Sequence, residues 1–410
     1  AGGGAAPAGD GAGAYAQALA SADLGALCRE AGLDPRAVEE AARALRPEEG
    51  EVAVLVGPGV QDAAAASEAI DLALLLRAGL LFASAGPNLQ GALDMGLHPG
   101  LLPGGKRLSD SAARAACQEV WGRPLSEAPG LDAEGIWAAL AGKRVRALYL
   151  LNCDPAAEHP DGARVRQALE AAEFVVLHAS HVNASLAHAD VVLPATTLYE
   201  EEGSVTSLER RVQRLRRAIK PVGEAREPWR VLSDLGRAME SPMKAHALDR
   251  IRLQARQLCA DYAGLFARLP EEGVQLARGR GGRFQAASLP PAGAPAGGLR
   301  LLLAPALWLS GSQVASAAHL RSMPRAALRL SPPDADRIGV GEGGEADLEL
   351  SGASLRLPVR VDGSLPVGLA QAPEGYLAAL GGSLPASAAR GGIPVRVRSA
   401  AASPRVEVGG

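Results

Sequence analysis

Cysteine is scarce in this sequence. The 410 residues hold only four, Cys28, Cys117, Cys153 and Cys259. They stand far apart and never as C-x-x-C, which argues against a disulfide scaffold, a zinc ribbon or an iron–sulfur cluster held by the chain itself. Excess charge is lacking too. Lys and Arg number 42 against 45 Asp and Glu, a formal net charge of −3, so no global field draws the chain to nucleic acid or an acidic membrane. Long apolar runs are missing: the stretch from Ala69 to Leu89 is cut by Asp71, Arg77 and Gly/Pro, short of the roughly 18 residues of a membrane span. The opening AGGGAAPAGDGAGAY has no Met, basic n-region or apolar h-region. It is not a signal peptide; residues 1–14 read as a linker, and the chain is expected to be cut from something longer. Gly and Pro, at 49 and 29 residues, stay below the roughly 25–30% that marks disorder, so the chain is globular and loop-rich, with two or three domains.

What is present is an alternation of helices and apolar strands. Asp34-Pro35 opens a helix through Leu45, with Asp34 as N-cap and Pro35 in the first position. Val52–Val56 and Leu80–Ala83 read as buried strands around a helix from Asp62 to Arg77. The rhythm returns with strands at Arg146–Leu151, Phe174–Leu177 and Val191–Leu193 and a helix from Asp161 to Ala172. Apolar strands without alternation, spaced by helices, predict an open α/β domain with a parallel sheet covered on both faces, over residues 15–240. Residues 241–298 read as a helix and a Gly/Pro/Ala linker, densest from Gly279 to Gly298. Residues 299–410, with alternating strands such as Ala346–Leu350 and Leu355–Val361 between turns, read as a β-barrel.

Local candidates for chemistry are weak. Gly57-Pro58-Gly59 follows a strand and precedes a helix, but Asp62 stands at the third glycine position and would repel a pyrophosphate; a tight turn is the better reading. His178, His181 and His188, near Asp190, match no metal-ligand spacing and read as a loop of solvated histidines. Glu200-Glu201-Glu202 reads as a solvated carboxylate face. Glu209-Arg210-Arg211-Val212-Gln213-Arg214-Leu215-Arg216-Arg217 lacks the interleaved aromatics of a single-strand binder and reads as a basic surface or a contact with a neighbouring chain. Neither a G-x-S-x-G elbow nor a signature around Cys153 supports a nucleophile.

Four segments together resemble the molybdopterin oxidoreductase superfamily. Asn88-Leu-Gln-Gly-Ala-Leu-Asp-Met-Gly96, with Pro99 and Pro103-Gly104, is similar to that family's N-x-Q-G-A-x-D-M-G loop. Tyr149–Asn152 to Pro155 resembles its strand and Asn-x-x-Pro turn beside the pterin. Ala189–Pro194 through Glu200, Gly203, Thr206 and Glu209–Gln213, then Pro221–Ala225 and Trp229, is the most specific match. Pro332–Gly344 is similar to part of its C-terminal double-psi barrel. The resemblance implies an open doubly wound α/β sheet followed by that barrel, with Asn152, Asp154, Thr196, Gly203 and Thr206 at vestigial pterin-site positions.

The superfamily includes enzymes such as formate dehydrogenases and one non-enzymatic branch, the large iron–sulfur subunit of bacterial NADH:quinone oxidoreductase (respiratory complex I). Where the enzymes place an acidic residue for the cofactor's nucleotide, this sequence has Ala179. The Thr-Glu-Thr that follows there appears as Asn183-Ala184-Ser185, Ser207 replaces an Asn, and the barrel has only Gln371–Gly375 in place of a His/Asn-rich loop. These departures imply a scaffold like that of the non-enzymatic branch, with no catalytic residue, no metal and no cofactor of its own. The family's 2Fe–2S and 4Fe–4S clusters would lie upstream. Its partners would be other peripheral-arm subunits, on the cytoplasmic side of a bacterial inner membrane, with no membrane span and no nucleic acid. Glu209-Arg210-Arg211, where the non-enzymatic branch typically has Glu-Gly-Arg, leans the other way, towards a fragment of an NAD-linked formate dehydrogenase. A free-standing binding module on the same fold is the third expectation.

Overall fold

The computed structural model describes residues 9–10, 17, 19–45, 51–57, 60, 63–83, 86–159, 161–241, 247–265, 269–277, 284–285, 298–304, 314, 317, 319–320, 323, 327–350, 353–373 and 393–400. Most of the opening linker, most of Gly279–Gly298 and part of the glycine turn at 57–59 lie outside them. The chain divides into two compact units. One holds residues 1–85 with 278–296 and 389–391, the other 86–277 with 297–388 and 392–410.

In the first unit, α1 (Leu24–Ala31) is capped by Asp23. Helix α2 (Pro35–Ala44) starts as its sequence dictates, Pro35 leading and the Asp34 carboxylate accepting from Arg36 N at 2.9 Å. Strands β1 (Ala53–Val56) and β2 (Gly79–Phe82) pair in parallel, joined by α3 (Ala63–Leu75).

The second unit begins with α4 (Leu89–Asp94), α5 (Ser111–Trp121) and α6 (Ala133–Ala141). Strands β3 (Ala147–Leu151), β4 (Phe174–Ala179) and β5 (Val191–Pro194) form a three-stranded parallel sheet in that order, with α7 (Pro155–Glu158) and α8 (Gly162–Ala171) in the crossover. Leu150, Val175 and Leu177 pack there with Trp137, Leu140, Val165 and Leu169. The parallel strands expected over residues 15–240 therefore lie in two sheets, one in each unit. The antiparallel hairpin β6 (Gly203–Thr206) and β7 (Arg211–Leu215) follows, extended by β8 (Val274–Gln275). Helices α9 (Pro228–Ala238) and α10 (Leu248–Leu258) complete this part.

The rest of the second unit is a closed six-stranded barrel. Its strands are β9 (Leu299–Ala304), β10 (Leu328–Leu330), β11 (Glu345–Leu350), β12 (Ala353–Val361), β13 (Leu369–Pro373) and β14 (Ile393–Ser399), with α11 (Pro332–Ile338) after β10. Pairs β9/β13 and β10/β12 are parallel and the others antiparallel. This is the double-psi architecture expected from the sequence. Closure removes free sheet edges, and Leu301, Leu328, Leu330, Leu348 and Leu357 fill the interior. Among the described residues no helix is long and apolar enough to cross a membrane.

Candidate functional site

Asn152 and Asp154 follow the carboxyl end of β3 and Thr196 that of β5, the end at which open α/β sheets bind ligands, while Gly203 and Thr206 lie on β6. Asn152 leaves β3 with φ +47°, its N–H donating to His178 O at 2.8 Å and its Oδ1 accepting from Ser180 N at 3.1 Å. Asp154 is buried. Its carboxylate accepts from Ala184 N at 3.0 Å, Ser185 N at 2.9 Å and Ser185 Oγ at 2.7 Å. The turn after β3 is thus sewn to the loop after β4 by a carboxylate facing inward.

A second cluster sits under β5. Thr197-Leu-Tyr-Glu200 makes a capping box: Glu200 Oε2 accepts from Thr197 N at 2.7 Å and Thr197 Oγ1 at 2.8 Å. Its Oε1 accepts from Val222 N at 2.7 Å. The backbone and hydroxyl donors of Thr197, with Val222 N–H, hold this carboxyl below the usual carboxylate range although burial opposes them. The expectation of a solvated triple-Glu face is therefore corrected, because Glu200 is buried and organises the loop. The T-x-x-E spacing was the signal for it. Thr196 is buried and donates from Oγ1 to Glu201 at 2.5 Å. Burial pushes the Glu201 carboxyl up; the Thr196 bond only partly offsets it, and Glu227 and Glu200 add to the rise. Glu227, which the sequence reading passed over, is buried between Arg217 Nη2, at 2.7 Å, and Arg230 Nε. Burial alone would raise it, and the bonds and charges of the two arginines lower it on balance.

The third cluster explains the N-x-Q-G-A-x-D-M-G loop. Asn88 Oδ1 accepts from Thr206 N at 2.8 Å, and Thr206 Oγ1 lies 2.8 Å from Tyr262 OH. Tyr262 OH donates to Asp94 Oδ2 at 2.8 Å, so Thr206 is the donor to Tyr262. Gln90 Nε2 holds the other Asp94 oxygen at 2.8 Å. Burial, reinforced by Asp94, keeps the Tyr262 phenol protonated far above its ordinary range. A Cβ on Gly91 would lie 2.3 Å from Asn88 Oδ1 and 3.2 Å from Thr206 Oγ1. Gly104, at φ +83°, passes 3.0 Å from Leu258 O by the same measure. Nothing crowds Gly203.

The basic run finds its partners inside the chain. Arg210 bonds Asp261 at 2.5 Å and Ala277 O at 2.9 Å, Arg216 pairs with Glu271 at 3.2 Å, and Arg217 with Glu227. Among the described residues Arg214 has no ion pair. Arg210 has φ +65° in the β6–β7 turn, a region that favours glycine. The histidine reading is also corrected. His178 is fully buried on β4, its Nδ1 hydrogen-bonded to Tyr149 OH at 2.7 Å, and burial lowers its pKa. Strand register faces it into the sheet rather than the solvent loop, where His181 bonds Ser180 Oγ at 3.0 Å. Among the described residues no group of three or more His, Cys, Asp or Glu is placed to hold a metal ion.

Comparison with known proteins adds the lineage. The molybdopterin oxidoreductase family profile matches residues 20–238. The chain is 29% identical over 369 residues to the NADPH-Fe(3+) oxidoreductase subunit alpha of Geobacter sulfurreducens, covering 88% of this chain and 43% of that protein. It is 28% identical over 302 residues to a subunit of the NADH-quinone oxidoreductase of Rhizobium meliloti, covering 71% of this chain and 34% of the relative. Against the putative formate dehydrogenase YrhE of Bacillus subtilis it is 32% identical over 231 residues, 54% of this chain and 24% of the relative. The chain spans less than half the length of each of these relatives. Acetylene hydratase from Pelobacter acetylenicus shares the fold, with a TM-score of 0.52 at 16% identity over 70% of this chain and 50% of that one. The chain belongs to the molybdopterin oxidoreductase family.

Proposed function

We propose that this chain is a cofactor-less scaffold, the C-terminal part of the large iron–sulfur subunit of an NADH:quinone oxidoreductase. In this reading the 2Fe–2S and 4Fe–4S clusters lie on sequence upstream of the matched region. The chain docks against other peripheral-arm subunits on the cytoplasmic side of the inner membrane and transfers no electron itself.

The observation that carries the proposal is the direction of the polar groups. A pterin dinucleotide needs donors for its phosphates and a carboxylate for its guanine. Here the Asp154 carboxylate, the Thr196 hydroxyl and the Thr206 hydroxyl and N–H are all committed to partners in the chain. At the end of β4, where the nucleotide carboxylate would stand, is Ala179. The residues present do not fit that group. The name of the Rhizobium relative supports the assignment, and that of the Geobacter protein supports a reductase component using a nicotinamide donor.

The second reading, a fragment of a formate dehydrogenase, draws on Glu209-Arg210-Arg211. The Arg210 guanidinium, however, is held by Asp261 and Ala277 O, and its backbone takes the conformation a glycine would. Arg and Gly therefore serve the same turn, and the residue does not discriminate the branches. Elemental analysis of the purified chain is expected to find neither molybdenum nor iron in stoichiometric amount. One equivalent of molybdenum per chain would overturn the scaffold in favour of the enzyme.

A further inference from the structure

The first unit lacks a packed interior of the kind the second unit has. Among the described residues every cluster of buried apolar side chains lies in the second unit. The described part of the first unit buries only Cys28, Val56 and Ala73 among its apolar side chains.

Its elements are nevertheless of the kind that needs cover. Strands β1 and β2 run in parallel, and among the described residues each pairs on one side only. Parallel sheets are ordinarily buried on both faces, and two strands alone are marginal. Val56 is buried, but Leu55, which alternation points to the opposite face, is 66% exposed. On β2, Phe82 is 39% exposed. The helices agree. Leu27 of α1 is 52% exposed. In α2, Val38, Ala41 and Ala42 fall on one stripe, yet no residue of the helix is buried. An amphipathic helix normally hides such a stripe against a core.

We propose that the first unit is one side of an α/β domain. Its uncovered sheet and helices dock further parallel strand–helix units, supplied by the region of the family polypeptide that precedes the matched part. Open strand edges take the backbone donors and acceptors of another strand. The leucines and phenylalanine beside them take apolar helix faces, not a charged partner. The family profile matches from residue 20, so these elements are part of the family architecture and not an appendage to it. Length supports the source: the chain corresponds to only 43% of the Geobacter subunit alpha, which leaves that relative ample further sequence. The inference does not rest on the scaffold reading, because uncovered strands need cover in an enzyme as much as in a scaffold.

Hydrogen exchange followed by mass spectrometry tests it on two samples, residues 1–410 and the product of the whole reading frame. In residues 1–410 the amides of β1 and β2 should exchange within minutes, while those of β3, β4 and the barrel stay protected for hours. In the longer product the β1 and β2 amides should slow about a hundredfold or more. Leu55→Glu should leave residues 1–410 unchanged, since that side chain already meets water, and should abolish the slowing in the longer product. Leu55→Ala should keep part of it, which separates lost docking from misfolding. Leu97→Glu, at an exposed position of the second unit, should change neither sample. Protection of β1 and β2 in residues 1–410 alone would overturn the proposal. Protection that appears there only as concentration rises would do the same, because a second copy would then be the cover. Fast exchange in the longer product, or a reading frame that supplies no preceding region, would also overturn it. The metal content that tests the scaffold reading is independent of every one of these results.

Discussion

Arg217 and Arg214 look interchangeable in the sequence, three residues apart in one basic run, yet they have different surroundings. Arg217 bonds a buried carboxylate and also donates from Nε to Glu200 O at 3.0 Å, tying the segment after β7 to the capping-box turn. Arg214 stands exposed without an ion pair among the described residues. Truncating Arg217 leaves Glu227 buried with only Arg230, which should cost roughly 1–3 kcal/mol, whereas Arg214→Ala should stay within about 0.5 kcal/mol. Urea unfolding of the two single variants checks this. Equal midpoints would mean that Glu227 gains nothing from Arg217. Sequence could show the density of the run but not this division, because Glu227 and Asp261 reach it only through tertiary folding.

At the scale of elements, local chemistry was legible and long-range pairing was not. The Asp34-Pro35 start, the strands at 147–151 and 174–179 and the barrel ladders follow from spacing and propensity. The two parallel sheets could not be told apart, since apolar strands of equal character carry no mark of which neighbour they will join. The α4 loop shows the same limit. Its motif identified a family, but only the structure shows that Asn88, Gln90 and Asp94 brace β6 and Tyr262. Gly91→Ala tests that brace. The added Cβ would displace Asn88 from Thr206 N–H, and overpacking of this kind costs about 1–3 kcal/mol. A thermal melt should shift downward, and the Asn88→Ala variant should lose little more when Gly91→Ala is added. If the two changes destabilise additively, the steric route through Asn88 is wrong.

For the whole molecule the buried titratable groups define a pH window of stability. His178 folds neutral, its pKa lowered by burial from an ordinary 6.5. The unfolded chain therefore binds a proton first as pH falls through 6.5, and stability declines from there down to the folded value. Glu200 and Glu227, both lowered from 4.5, act with the same sign: their contribution is present above 4.5 and lost as pH falls through their folded values. Glu201, raised by burial, opposes them, its contribution present below 4.5 and lost as pH rises through its folded value. On the alkaline side burial pushes the Cys259 thiol from 9.0 up to about 11, so the unfolded chain ionises first and stability falls above 9. Trp121, Trp137 and Trp229 belong to the second unit, so their fluorescence reports the part that contains these groups. Urea midpoints followed this way should form a plateau between about pH 6.5 and 9 with a decline on either side. His178→Gln should lower the plateau, because Tyr149 loses its ring partner, and should flatten the limb between pH 6.5 and 4.5. An unchanged slope on that limb would show that His178 is not the group that first takes up the proton.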